Sequence, residues 1–516
     1  MSIVKHESRK TENRSRKRVG ECRKGLLLLP FIGGLFLLWY VLHATVDVVY
    51  SDYIRIINSY LPDTLDPKTF FVPDILTRIP INYPLRWINV TFFGYSVLFD
   101  RVFCILGCVL LMLAVTQYLI RERSSIWIIL PVMIAGFSLD KWEMLINGTG
   151  CVHFLSYGLF FYHYLVLERV FTGTKKPGDE RRLCLLPWLS LLVAGPYIAQ
   201  YTATLLVACV YLAFLRNRNV DGRRLPWYGL CALLPLILYY MSNAAATYEF
   251  EGIEDIGLLA TLEKYPGFSL RFLLNGFAST LLSGSVLEDL LAAGTLTYPL
   301  VYLLGALVIL LYAGAVILYF RTGQYRRTIF PMLLLVSGAG SHVLVFLSRY
   351  LFLAETYAWQ SRYGLQYLPG TLGVLLIYGA AFTYFRQQYR SVRATQGDDV
   401  SSWKADADAA PVRHGRARKA QTSLRTGHAL GALLGMALSL VVLLSFAAGS
   451  CYTDKREIGM MPFRHMYFAS MADAARNYEN LSDDELNLIF EYHHGPNRVR
   501  HAMDILKENQ WNVFRE

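Results

Sequence analysis

Three short stretches of the chain place carboxylates, arginines and aromatic residues beside long apolar runs. The first is HATVDVVYSDYIRIINSYL, residues 43–61, where the first apolar run ends. It carries Asp47, Asp52 and Arg55. A carboxylate in a partly desolvated site at a membrane–water boundary can have the raised pKa that suits a general base for an acceptor hydroxyl. Asp52 is the leading candidate and Asp47 the second, with Arg55 as a basic partner for phosphate. The plain alternative is a helix end marked by ordinary polar residues. The second stretch is Asp140-Lys141-Trp142-Glu143, followed by Asn147-Gly148-Thr149-Gly150. Charges this close to apolar runs are costly unless they are paired or functional. Glu143 is a further candidate base, Trp142 a candidate platform for a sugar ring, and Asp140 a candidate substrate contact. The competing reading is an Asp140/Lys141 boundary pair beside an interfacial tryptophan. The third stretch is Ser361-Arg362-Tyr363-Gly364, with Pro369 downstream. An arginine entering a helix can grip a phosphate or pyrophosphate bidentately, which lysine does less well; it can also be a snorkelling anchor. Ser348-Arg349-Tyr350 repeats the pattern across a short loop. Arg362, Arg55 and Arg349 are therefore the candidate phosphate-binding residues, and Tyr363 a candidate substrate contact.

The elements that must position these residues are membrane helices. Of 516 residues, 54% are apolar, and mean hydropathy is +0.33. Several runs approach or exceed the length that spans a bilayer. The pattern predicts an all-α polytopic protein with about eleven spans. These fall near residues 25–46, 98–120, 126–139 and 150–168, two short helices within 183–215 broken at Gly195-Pro196, and then 225–242, 298–320, 328–347, 363–385 and 429–448. Residues 1–24 form a basic cytoplasmic tail. Residues 25–385 form the transmembrane domain, 386–425 a disordered cytoplasmic linker, 426–449 the last span, and 450–516 a small helical extracytoplasmic tail.

Two long outer loops are expected, at about 47–97 and 243–297. Prolines break the first into amphipathic pieces near 53–61 and 85–93, suited to lying in the interface. The second holds Glu249, Glu251, Glu254, Asp255 and Glu263 and a re-entrant or interfacial helix near 270–282. Roughly 32 of the 50 lysines and arginines fall in the segments assigned to the inside, which sets the N-terminus inside and the C-terminus outside. The net charge of +11 is thus a topology signal and does not call for nucleic acid.

The eight cysteines are scattered with no CxxC pair and read as small core residues. His153, His163 and His342 lack the spacing of a zinc site. Asn89, Asn147 and Asn480 open glycosylation sequons, a motif common by chance. No Walker motif, GxSxG, HExxH or strand–helix GxGxxG is present, so nothing points to nucleotide hydrolysis.

Together these features resemble the GT-C superfamily of integral-membrane glycosyltransferases, with a layout similar to protein O-mannosyltransferases and lipid A aminoarabinose transferases. The resemblance is architectural over residues 25–385. It reaches motif level at the acid after the first span, here Asp47 or Asp52, and at Arg362-Tyr363 with Pro369. The chain departs from the family in lacking an adjacent Asp-Glu or Asp-x-Asp in the first loop, and in its linker and outer tail. The resemblance implies a lipid-linked sugar donor, usually a polyprenyl-phosphate sugar, and transfer on the outer face. The expected acceptor is a cell-envelope glycan or lipid, and the expected place a bacterial plasma membrane. The family divides on metal use, and no ligand cluster here demands a divalent cation. Two other classes compete. A flippase of lipid-linked glycans is expected to show internal repeats and broken helices at the midplane. A non-catalytic assembly protein is expected to carry its tail as a detached unit, whereas an ordered tail capping a chamber favours an enzyme.

Overall fold

The computed structural model describes residues 23–66, 79–244, 256–406 and 415–515, and between 394 and 426 the backbone alone. The expected acids Glu249, Glu251, Glu254 and Asp255 lie outside the described residues. Within them the chain is helical, with no strand. In order the α-helices are α1 Leu29–Ala44, α2 Asp52–Tyr60, α3 Asn82–Phe93, α4 Val97–Arg121, α5 Ile126–Phe137, α6 Trp142–Ile146, α7 Cys151–Phe171, α8 Asp179–Val193, α9 Ile198–Leu215 and α10 Leu225–Asn243. There follow α11 Leu258–Lys264, α12 Phe268–Ser279, α13 Gly284–Ala292, α14 Tyr298–Arg321, α15 Phe330–Arg349, α16 Gly364–Asp406, α17 Gly415–Gly459, α18 Met461–Arg476, α19 Asp483–Ile489 and α20 Arg498–Glu508.

Nine helical segments among the described residues are long and apolar enough to cross a bilayer, and α12 with α13, bent by 104° at a short break, makes up to ten. Eleven are expected from hydropathy, and the shortfall has two sources. The run at 126–139 yields a helix of only 12 residues, roughly 18 Å long at the α-helical rise and well short of a bilayer core. The 183–215 run breaks at Gly195, which takes a φ of 51°. That leaves α8 with 15 residues and one full-length segment, Gly195–Leu215. The chain is a polytopic all-α membrane protein with nine to ten candidate spans among the described residues.

Burial sorts the spans into hub and rim. The apolar windows of α7 and α16 are 78% buried, whereas those of α1, α14 and α17 are 28% buried. The rim helices expose residues such as Phe31, Leu35, Leu303, Leu310, Leu434 and Val441, as lipid-facing surfaces do. At the hub, small residues let backbones meet, the packing device available where the solvent is itself apolar. A Cβ on Gly107 of α4 would stand 2.5 Å from the Phe154 carbonyl carbon in α7, and one on Gly338 of α15 2.2 Å from the Gly370 nitrogen in α16. Beyond residue 385, where a disordered linker is expected, α16 continues to Asp406 and α17 begins at Gly415.

The first long loop and the C-terminal tail form one body. The Ser51 N–H donates to the Phe490 carbonyl at 2.8 Å, and Asn58 Nδ2 donates to the Arg498 carbonyl at 2.9 Å. At the loop's far end, the Asn512 N–H donates to Gly94 O at 2.8 Å and Arg515 Nη1 to Phe93 O at 3.1 Å. The tail therefore grips both ends of the segment that carries α2 and α3.

Candidate functional site

Helices α4, α7, α15 and α16 each have one end near the first loop. There they surround a cavity of about 1380 Å³. Its wall collects side chains from four distant parts of the sequence. Asp52 and Arg55 come from α2, Trp142 and Glu143 from α6, Arg349, Arg362 and Tyr363 from the ends of α15 and α16, and Arg464, Glu491 and His494 from the tail. Seven of the nine residues singled out by type and spacing thus share one hollow.

The two others are held elsewhere. Asp47 Oδ1 accepts the Val97 N–H at 2.6 Å and the Leu98 N–H at 3.3 Å, so it satisfies the open amides at the start of α4, where a negative charge also suits the helix dipole. Asp140 pairs with the buried Lys141 at 2.8 Å, and its backbone carbonyl accepts the Ser361 hydroxyl at 2.8 Å. Both act in folding the wall. Asn89 of the first sequon is buried and exchanges two hydrogen bonds with the Ser96 backbone, at 2.9 and 2.8 Å.

Around the cavity some of the charged groups keep spare bonding capacity. Asp52 opens the first turn of α2 with half its side chain exposed, 3.6 Å from Arg55 Nη1. The residue before it, Ser51, sits at φ 51°, ψ −122°, a region populated mainly by glycine. Glu143 is bound at 2.8 Å by Arg362 Nη2. Burial pushes the Glu143 carboxyl above its usual range, and the Arg362 charge pulls against that rise. Arg362 Nε has no hydrogen-bond partner among the described residues. Arg349 Nε donates to the Tyr363 hydroxyl at 2.7 Å, which orients both side chains along the same wall. The Trp142 ring has its face covered by the Arg464 guanidinium, centred 3.7 Å away.

Sequence reasoning passed over several members of this wall. Asp100, in the first turn of α4, accepts the Tyr53 hydroxyl at 2.8 Å. Gly148 makes room for the pair, since a Cβ there would lie 2.3 Å from that hydroxyl oxygen. A carboxylate at the mouth of an apolar run was the available signal. Arg86 of α3 lines the cavity while 7% exposed, with its guanidinium 4.2 Å over the Tyr60 ring. From the tail, Glu491 accepts the Tyr467 hydroxyl at 2.8 Å, and Phe468 packs edge-on against Tyr50 with centroids 5.1 Å apart. Among the described residues no group of three or more His, Cys, Asp or Glu is placed to hold a metal ion. The arrangement can bind an anion on its arginines, hold a hydroxyl against a carboxylate, and shelter both from bulk water. No protein-family model, curated protein or solved structure matches this chain.

Proposed function

We propose that this protein is a membrane glycosyltransferase of the GT-C kind, moving a sugar from a polyprenyl-phosphate donor to a cell-envelope glycan or lipid. The observation that carries the reading is the meeting of Asp52, Glu143, Arg349 and Arg362, scattered over 310 residues of sequence, in one large cavity beside membrane helices. The tail adds support. It is ordered across the first loop and lends Glu491 and Arg464 to the wall, the arrangement expected of an enzyme chamber.

In the proposed reaction the donor phosphate sits on Arg362 and Arg349. Asp52 takes the proton of the acceptor hydroxyl as that oxygen bonds to the sugar's anomeric carbon. The bond from that carbon to the phosphate oxygen breaks, and its electron pair leaves on the polyprenyl phosphate. The arginines stabilise the charge gained there. The test is transfer of radiolabelled sugar from polyprenyl-phosphate sugars by the purified protein in lipid, with Asp52→Asn alongside. Transfer by the wild type and its loss in Asp52→Asn would support the reading; equal turnover would remove Asp52 from the role. The bent pair α12–α13 favours a second reading, a flippase of lipid-linked glycans. Donor movement between leaflets of the same vesicles without transfer would select it.

A further inference from the structure

The Glu143–Arg362 contact bears on how the donor site is kept when empty. The two side chains reach each other from segments whose backbones are fixed together. The Ser361 hydroxyl bonds to the Asp140 carbonyl at 2.8 Å and accepts the Glu143 N–H at 3.3 Å. A Cβ on Gly364 would lie 2.9 Å from that same carbonyl oxygen, so the start of α16 lies directly against the turn that leads into α6. Glu143 and Arg362 both line the cavity and both are partly exposed, at 30% and 40% of the side chain. A change of partner at the Arg362 guanidinium therefore needs only side-chain rotation, separate from the bond that the Arg362 backbone N–H makes to the Glu143 carboxylate. Its neighbour Arg349 is oriented by Tyr363, and Arg362 Nε is unfilled among the described residues. A carboxylate and a phosphate offer a guanidinium the same pair of acceptor oxygens.

We infer that Glu143 is a stand-in for the donor phosphate, occupying Arg362 in the empty cavity and released into it when a phosphate ester arrives. This rests on the donor-phosphate reading given above. The consequence is an ordered site. Arg362 never faces the cavity without an anion, and Glu143 is freed only when there is a phosphate-bearing substrate beside it. Return of Glu143 to Arg362 also helps expel the polyprenyl phosphate left after transfer. The phosphate source is a lipid headgroup, as the proposed donor carries one.

The test is a double-mutant cycle on binding, using the full chain in nanodiscs with farnesyl phosphate, inorganic phosphate and farnesol as probes. Glu143→Gln removes the internal competitor, and farnesyl phosphate should bind about tenfold more tightly. In the Arg362→Ala background that gain should vanish, and farnesol affinity should not change in any variant. Arg362→Gln gives the same test if Arg362→Ala does not yield folded protein. A gain that persists without Arg362 would reveal general charge repulsion and overturn the exchange. So would a Glu143→Gln protein that binds farnesyl phosphate no better than wild type. Coupling seen with inorganic phosphate but absent with farnesyl phosphate would overturn the lipid source. Farnesyl phosphate that binds none of the folded proteins would remove the donor-phosphate reading itself, a result distinct from loss of the coupling alone.

Discussion

Charged side chains at the two ends of α4 and α7 meet opposite fates. At the far end Glu168 is fully buried. It accepts the Ile329 N–H at 2.6 Å and the Phe330 N–H at 2.8 Å, and it is paired with Arg121. Nearby, Arg169 grips Asp179 with two bonds of 2.8 and 2.7 Å, and Arg182 and the Lys176 N–H add two more. Burial works against the Asp179 carboxylate, but these donors hold it well below the usual range. At the cavity end, roughly 37 Å away along a 25-residue helix, Glu143 is held by the side chain and backbone of Arg362 while staying partly exposed, and Asp52 is half exposed. A buried charge whose bonding sites are all used is architecture, because removing any partner strands it. A charge with spare capacity facing a hollow can exchange its partner for a ligand.

The largest expected effects sit one at each end. Asp52→Asn should reduce transfer at least about 100-fold, the scale of a lost general base. It should leave folding alone, since a 3.6 Å contact between half-exposed Asp52 and Arg55 contributes no more than about 1 kcal/mol. Glu168→Ala should do the reverse. It leaves two amides without their acceptor and Arg121 with Glu122 alone, and should cost about 3 kcal/mol of stability with turnover per folded molecule unchanged. Melting temperature and transfer, measured on both proteins, read the contrast. Two variants with the same profile would erase it.

Arg362→Ala should raise the donor KM about tenfold, as loss of a charge-assisted contact does, with a smaller change in melting. It also has a pH signature. The Arg362 charge favours ionised Glu143, opposing the rise that burial causes. Without it the carboxyl must hold its proton to higher pH. The protonated-carboxyl infrared band that Glu143→Gln lacks should therefore appear at a higher pH in Arg362→Ala than in wild type. A shift to lower pH would show that Arg362 does not stabilise the Glu143 carboxylate.

The same contrast explains what could be read in the sequence. Hydropathy located the spans because apolar length is a local property. At α5 and α8 the apolar runs form helices too short to count as spans. The membrane-edge acids and arginines were legible because charge beside an apolar run is costly. Asp47 resembles Asp52 in sequence, yet its oxygen goes to the amides of α4, fifty residues away. Glu491, Arg464 and His494 gave no local signal. Their place in the wall depends on contacts such as Asn58 to Arg498, 440 residues apart, and no periodicity encodes those.

The smallest expected effect tests how the tail serves the cavity. Ser51 holds the first central conformation of a II′ turn, which glycine dominates, and its N–H is fastened to Phe490 of the tail. A non-glycine residue there costs about 1–3 kcal/mol. Glycine would relieve that cost and give back about 0.5–1 kcal/mol through its more flexible unfolded chain. Ser51→Gly should therefore be more stable by about 1 kcal/mol, a rise of a few degrees or less in melting temperature. Transfer should fall a few-fold, because a glycine hinge immediately before Asp52 holds that carboxylate less firmly toward the cavity. If the variant is more stable and equally active, the strained turn only joins loop to tail. If it is more stable and slower, the strain at Ser51 is the means by which the tail aims Asp52, and the loop–tail junction belongs with the open end of the molecule.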